Sequence, residues 1–258
     1  MNAAIGWFES GLRTIRPESP LPGLLTLIDN DDSFRVWAAQ FLDAVDTGIS
    51  GMKVESARIN TDDLRDPVVS MLQDGGRLGT PEMELELDEI EGDQIVVRRN
   101  LKMKHPVADG EEFELPFKEE SDGTKRLLEL LPSLYRFGVQ QDDYDGDVTF
   151  VIDELDRSMH PVLAHAFLKF FLETKHANHH QVVVTTHETH FLDGDLLRRD
   201  EVWFTEKDKS QASKTYSLMD FKPRKDLRLQ RGYLHGRFGG IPFIGNMDKL
   251  RELLTDGA

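Results

Sequence analysis

Apolar residues recur at three- and four-residue spacing through Phe34, Trp37, Ala38, Phe41, Leu42 and Val45, which makes one apolar helical face. Pro17, Pro20, Pro22 and Gly23 interrupt this material, so residues 1–56 read mainly as helix in two pieces. Residues 61–82 are polar and rich in turn formers, and read as an exposed loop. The period then changes to two. Glu82-Met-Glu-Leu-Glu-Leu-Asp88 alternates acidic and apolar side chains, as a half-solvated antiparallel strand does. The run from Ile95 to Lys102 reads as its partner across a hairpin turn at Glu91-Gly92-Asp93, and Glu112 to Phe117 as a third strand. From Lys125 the helical spacing returns through Leu127, Leu128, Leu131 and Leu134.

Beyond that helix the pattern alternates between strand and helix. The short apolar runs Thr149 to Ile152 and Gln181 to Thr185 flank a helix from Pro161 to Thr174, a spacing that implies a right-handed parallel crossover. Glu201 to Thr205 and Lys214 to Leu218 read as two more strands near the sheet edge. The expected fold is α/β, a parallel sheet with flanking helices. The expected segments are helical material over 1–60, a loop and antiparallel strands over 61–118, the parallel lobe over 119–245, and a C-terminal helix or tail over 246–258.

Composition narrows the function. With 258 residues the chain can bury a substantial core, and its net charge of −16 argues against a surface coated in duplex DNA. There is no cysteine, which removes disulfides and thiolate metal sites. The first residues show no signal peptide, and no apolar run approaches the roughly 18 residues of a spanning helix. The expectation is a soluble cytoplasmic protein with no membrane partner.

The candidate chemistry begins at Val148-Thr-Phe-Val-Ile-Asp-Glu-Leu-Asp156, a buried-strand pattern that ends in the adjacent acids Asp153 and Glu154. The carboxyl end of a parallel strand is where α/β proteins bind ligands. Acids there suit Mg²⁺ beside a nucleotide phosphate and the polarising of a water; the plainer reading is a cap on a neighbouring helix. Glu120-Ser121-Asp122-Gly123-Thr124-Lys125 opens a helix with a hydroxyl and a glycine, offering backbone N–H groups to an anion or serving as an ordinary N-cap. Val182-Val-Val-Thr-Thr-His187 places a histidine just past a second strand, within reach of a γ-phosphate. His187-Glu-Thr-His190 has its histidines three apart rather than four, which argues against a zinc helix. Asp145-Gly-Asp147 and Asp193-Gly-Asp195 read as turns rather than nuclease metal sites.

In order and wording these segments resemble the heads of ABC-type ATPases, and within them the AAA/ABC-hybrid ATPases of prokaryotic defence related to the OLD family. The resemblance rests on Ser121-Asp-Gly-Thr-Lys-Arg126, Ile152-Asp-Glu-Leu-Asp-Arg-Ser-Met-His-Pro161, Thr185-Thr-His-Glu-Thr189, Leu196-Leu-Arg-Arg-Asp-Glu-Val-Trp-Phe204 and Gly236-Arg-Phe-Gly-Gly-Ile-Pro-Phe243. It implies a partial P-loop NTPase fold with ATP and Mg²⁺ as cofactors. Asp153 then holds Mg²⁺, Glu154 acts as the general base in a Walker B segment, and His187 is the switch histidine. Asp156 and Ser158 form the D-loop, and Ser121 and Gly123 clamp the γ-phosphate on the opposite protomer. The implied partners are a second copy or a partner ATPase half, and an effector nuclease.

One departure is large. A phosphate-binding loop needs Gly-x-x-x-x-Gly-Lys-Ser/Thr, and no Gly-Lys dipeptide occurs in the chain. The nearest match, Gly6 to Arg13, has Leu12 in place of the lysine and reads as ordinary helix. The expectation is the C-terminal lobe of such an ATPase with Walker A elsewhere; a non-catalytic module docking on a complete ATPase or nuclease is the alternative. Lys222 to Arg231, followed by Arg237, is the main basic run: either a solvated loop balancing an acidic chain or a contact for nucleic acid or an acidic partner. The glycines at 236–240 read as a tight turn tucking in Phe238 and Phe243. His176, His179 and His180 read as an exposed helix-end loop.

Overall fold

The computed structural model describes residues 7, 11–16, 23–61, 64–80, 82–90, 93–107, 110–138, 148–174, 180–192, 196–208, 210–224 and 227–241. The turn residues Glu91 and Gly92, the Asp-Gly-Asp segments at 145–147 and 193–195, His176, His179, Phe243 and the tail over 246–258 lie outside them. The strands are β1 (Leu12–Ile15), β2 (Gly51–Asn60), β3 (Arg77–Thr80), β4 (Met83–Ile90), β5 (Asp93–Pro106), β6 (Glu112–Pro116), β7 (Thr149–Ile152), β8 (Gln181–Val184), β9 (Trp203–Lys207) and β10 (Ser213–Ser217). The helices are α1 (Leu24–Asn30), α2 (Asp32–Ala44), α3 (Asp66–Gly75), α4 (Asp122–Gly138), α5 (Pro161–Glu173) and α6 (Leu229–Leu234). The chain forms two compact units, Met1–His187 and Glu188–Ala258.

The first unit holds a parallel sheet in the order β1-β7-β8, in which Ile15, Ile152 and Val184 lie level across the three strands. β7 is its most apolar strand and occupies the centre, as a run buried on both faces should. α5 connects β7 to β8; Pro161 at its first turn has no N–H to lose, and His160 caps Val162 N at 3.3 Å. Ala164, Phe167, Leu168 and Phe171 form its buried stripe. Along α4, Leu127, Leu128, Leu130, Leu131 and Leu134 are all at most 2% exposed. At about 1.5–3 kcal/mol per buried leucine, this stripe is the main anchor of the helix that leads into the site. α2 starts at an Asp31 side-chain cap on Phe34 N (2.9 Å), and its Phe34 and Trp37 rings lie 5.1 and 5.2 Å from Tyr135 of α4.

The same unit contains an antiparallel sheet in the order β2-β5-β4-β3, with β6 added to β5. The expected hairpin is present as β4 and β5, Met83 opposite Asn100 and Glu84 opposite Arg99. The strand at Glu112 is β6. Not every acid of β4 faces solvent as the alternation suggests: Asp88 is exposed, but Glu84 is 5% exposed, and it accepts from Gly23 N (3.0 Å) and from Thr26 Oγ1 at the start of α1. Glu86 bonds Arg99 (2.6 Å), which also reaches Asp29 of α1 (3.0 Å). Burial works to raise Glu86, but Arg77 and Arg99 hold it below the ordinary carboxylate value. Acids take the inner face because α1 brings a helix start and Arg99 to meet them.

Three further expectations are corrected. Among the described residues of 1–56, helices α1 and α2 are accompanied by strand β1 and the start of β2, which were not expected. Leu12 and Arg13, read as helix, are strand because pairing with β7 outweighs local propensity. Residues 61–82 are not a plain loop: Pro67 in the first turn and Gly76 at the left-handed C-cap bracket α3, and β3 follows. Glu201 to Thr205 and Lys214 to Leu218 do form strands, but β9 and β10 pair antiparallel in their own two-stranded sheet.

The second unit is built on that hairpin. Val202, Phe204, Leu218, Leu229 and Phe238 form its core, and Phe204 stacks on Phe238 at 5.9 Å. Phe238 is buried as expected from the glycine-rich turn. The Tyr216 hydroxyl donates to the Phe238 carbonyl at 2.9 Å; burial first, and Glu206 second, push its pKa up to about 12.

Candidate functional site

The site grows from the carboxyl ends of β1, β7 and β8. Where β7 stops, the chain turns sharply, and the turn is tied from three sides. Asp153 N donates to Ile15 O at the end of β1 (2.9 Å). Thr185, one residue past β8, donates from Oγ1 to Asp153 Oδ1 (2.5 Å) and accepts from Glu154 N at the same oxygen (2.9 Å). Leu155 N donates to Thr185 O (3.0 Å), while Leu155 itself is fully buried and pins the turn from below. Asp153 and Glu154 are both half-buried.

Glu154 sits at φ 48 and Ser158 at φ 62, both in the left-handed region that side chains other than glycine disfavour. Each such residue costs about 1–3 kcal/mol and persists where its surroundings over-determine it, which happens most at functional sites. Here Thr185 supplies the over-determination for Glu154. The turn then closes on itself through Arg157 N to Glu154 O (3.0 Å) and Met159 N to Asp156 O (3.1 Å).

The third tie is Arg126 of α4, which is 5% exposed. Its Nη2 donates to the Asp153 carbonyl (3.0 Å), and Nη1 lies 3.4 Å from Glu129. Burial pushes the guanidinium down from its ordinary value and the Glu129 carboxyl up. Desolvation therefore outweighs the attraction within the pair, as expected of a buried ion pair. The bond from this buried guanidinium to the Asp153 carbonyl fixes the backbone that carries the two acids.

The opening of α4 faces the same turn. Ser121 is the N-cap, accepting from Thr124 N at 3.1 Å and lying 2.8 Å from Thr124 Oγ1. The plain capping reading of Ser121 therefore holds, and the residue is exposed. A Cβ on Gly123 would lie 2.8 Å from Ser158 O, so the absence of a side chain lets α4 approach the Asp156–Ser158 segment. Asp156 Oδ1 is buried without a hydrogen-bond partner among the described residues, an unmet acceptor at this junction.

Two groups of predicted residues thus come together: Asp153 with Glu154, and Gly123 with Ser158. Ser121 and Asp156 stand beside the second group. His187 is exposed two residues beyond Thr185, and no hydrogen bond joins it to the acids among the described residues. Sequence reasoning missed Thr185 and Arg126 as site residues. Thr185 had a legible signal, a hydroxyl directly after the strand beside the acids; Arg126 had none, because arginine in a helix is ordinary until its burial is known.

Among the described residues no three His, Asp or Glu side chains converge as a metal cage. Mg²⁺ does not need one: it keeps several waters and takes one or two carboxylates plus phosphate oxygens. Asp153 with the Thr185 hydroxyl fits that hard-oxygen donor set. A cavity of about 660 Å³ between β1, α1 and the far half of α4 includes none of the seven predicted site residues. Among the described residues no helix is long and apolar enough to cross a membrane.

Residues 63–193, just over half of the chain, match the family model described as "AAA domain, putative AbiEii toxin, Type IV TA system". The match spans α4, β7 and β8 with the turns described above. No curated protein matches the chain.

Proposed function

The chain belongs to this AAA-domain family, and from that premise we propose that it is the Walker B, signature and switch portion of an ABC-type ATPase of the OLD-like branch, working in a prokaryotic anti-phage defence system. The substrate is ATP with Mg²⁺. The observation that carries the reading is the pair of acids at the carboxyl end of β7, held by Thr185 of the neighbouring strand end.

Each residue has a role in this reading. Asp153, oriented by Thr185, is the carboxylate for hydrated Mg²⁺; the bound ion supplies charge neutralisation on the phosphates. Glu154, in its left-handed backbone conformation after β7, accepts a proton from the attacking water. His187 stabilises charge on the γ-phosphate. Ser121, Gly123, Asp156 and Ser158 form the face that meets nucleotide bound to a second protomer, so the active unit is a dimer of this chain or a pair with a partner ATPase half.

The phosphate-anchoring lysine is not among these 258 residues. In the reading proposed here another polypeptide segment supplies it. The test compares ATP turnover by the assembled enzyme with that of its Glu154→Gln variant, alongside dimer content by light scattering with ATP present. Turnover should fall at least about a hundredfold, the range of general-base catalysis, while ATP-bound dimer accumulates. Undiminished turnover refutes the assignment. A non-catalytic docking module is the second reading, favoured by the missing Gly-Lys. It takes first place if a fluorescent ATP analogue binds neither the chain nor its assembly.

A further inference from the structure

The excess acid of this chain is confined to its first unit. Residues 188–258 contain 13 Lys and Arg against 12 Asp and Glu, although the whole chain carries −16. Within the second unit, Phe221, Lys222, Arg224, Arg228, Arg231 and Arg237 line one open cleft of about 1270 Å³. All five cations are exposed, and none has a carboxylate within ion-pair distance among the described residues. Several cations elsewhere are paired: Arg77 and Arg99 share Glu86, Lys102 holds Glu55, and Arg198 holds Asp200.

Five like charges around one cleft repel one another, an arrangement that an anionic ligand relieves. Four of the five are arginines, whose planar fork matches phosphate oxygens in a bidentate way. Arg228 is the N-cap residue of α6 and Arg231 follows three residues on, within the first turn of that helix. The same cleft contains an aromatic ring that is not fully used by the core. Phe221 is 42% exposed, yet it is held by Phe238 at 5.4 Å and Tyr216 at 5.7 Å. Arginines beside a fixed, half-open aromatic ring are the elements that hold single-stranded nucleic acid, phosphates on the cations and a base on the ring. An acidic protein surface would use the charges but gives the ring no role.

We propose that the cleft lined by Lys222, Arg224, Arg228, Arg231, Arg237 and Phe221 binds single-stranded nucleic acid through its phosphodiester backbone. The site is independent of the ATPase reading and needs no nucleotide for its test. The probe is a fluorescein-labelled single-stranded oligonucleotide of about 20 nucleotides, longer than one such site, titrated with the full chain and read by anisotropy. Five phosphate contacts give a slope of log K against log salt of about −3.5 on a single strand. Arg228→Glu with Arg231→Glu should weaken binding at least about tenfold and flatten the slope by about 1.4. Arg237→Ala is the milder second variant and should flatten it by about 0.7. Phe221→Ala should weaken binding without changing the slope. Unchanged affinity in the two charge variants overturns the site. Competition by a poly-glutamate peptide as effective as that by unlabelled oligonucleotide reassigns it to an acidic protein, and a blunt duplex bound as tightly as the single strand overturns the strand assignment.

Discussion

Arg126 is the residue on which the candidate site most depends without touching a substrate, and Arg126→Met tests that dependence. Methionine keeps most of the side-chain volume in a position only 5% exposed, so packing loss is minor. Two electrostatic losses remain. Glu129 keeps a buried charge without its partner, which typically costs about 3–5 kcal/mol. The Asp153 carbonyl loses its donor, a cost of about 1–3 kcal/mol that partly overlaps the first. The expected destabilisation at neutral pH is therefore about 3–5 kcal/mol. Its pH dependence is diagnostic. Burial already raises the Glu129 carboxyl, and the opposing contributions both come from Arg126. Without Arg126 the carboxyl rises further. A raised carboxylate carries its full penalty above its folded pKa; the penalty shrinks as pH falls below that value and is gone below the unfolded value of about 4.3. The cost of Arg126→Met should thus shrink as the solution is acidified from pH 7. Arg126→Met with Glu129→Leu should recover all but about 1–3 kcal/mol, the unpaired Asp153 carbonyl. Urea unfolding followed by far-ultraviolet circular dichroism and tryptophan fluorescence supplies the free energies, with Trp37 reporting beside Tyr135 of α4. A loss below about 1 kcal/mol, or one that does not change with pH, refutes the reasoning.

Gly123→Ala sets helix propensity against contact. Alanine gains up to about 1 kcal/mol in a helix, but its Cβ meets a backbone carbonyl of Ser158 at 2.8 Å, which forces a shift costing about 1–3 kcal/mol. A net loss in urea-unfolding free energy is expected, and a gain would show that α4 and the Asp156–Ser158 segment do not touch. For Tyr216, a difference absorbance titration against Tyr216→Phe should show phenolate forming near pH 12 when folded. The unfolded chain ionises this group first, at about pH 10, so its contribution to stability is lost as pH rises above that value. Ionisation at about pH 10 in the folded protein would contradict the buried hydrogen bond to the Phe238 carbonyl.

The parallel strands β7 and β8 were legible because burial on both faces leaves a continuous apolar run, and the acids stood out because they follow β7 directly. The β4–β5 hairpin was legible from its period of two, but the direction of β4 was not. Alternation says which residues share a face and is silent about which face is inside; Arg99 and the start of α1, distant in sequence, decided that. β1 was missed because Leu12-Arg-Thr-Ile carries no strand signal of its own and becomes a strand only beside β7. α3 was overlooked although Pro67 and Gly76 mark both its ends, because its polar surface hid a short helix. The basic run was visible as charge, yet its meaning depended on whether carboxylates meet it.

Two independent observations bear on the proposal that another segment supplies the phosphate-binding lysine. The first is chemical: a triphosphate needs backbone donors and a cation at its β- and γ-phosphates, and Asp153, Glu154 and His187 supply neither. The second is architectural. A parallel sheet is normally covered on both faces, and exposed edges are normally guarded by charge, proline or a bulge. β8 has none of these guards: it reads Gln181-Val-Val-Val184, Val183 is 52% exposed, and among the described residues no strand pairs with its outer edge. Thr185 and His187 follow directly from that strand, so a strand added beside β8 would end its own carboxyl-terminal loop next to them and close to Asp153. In the proposed ATPase reading, the unguarded edge and the phosphate chemistry fit one and the same segment: an apolar strand leading into a glycine-rich loop with a lysine. A segment that satisfied only the edge would leave the acids without a triphosphate to act on. A lysine delivered elsewhere would leave Val183 facing water.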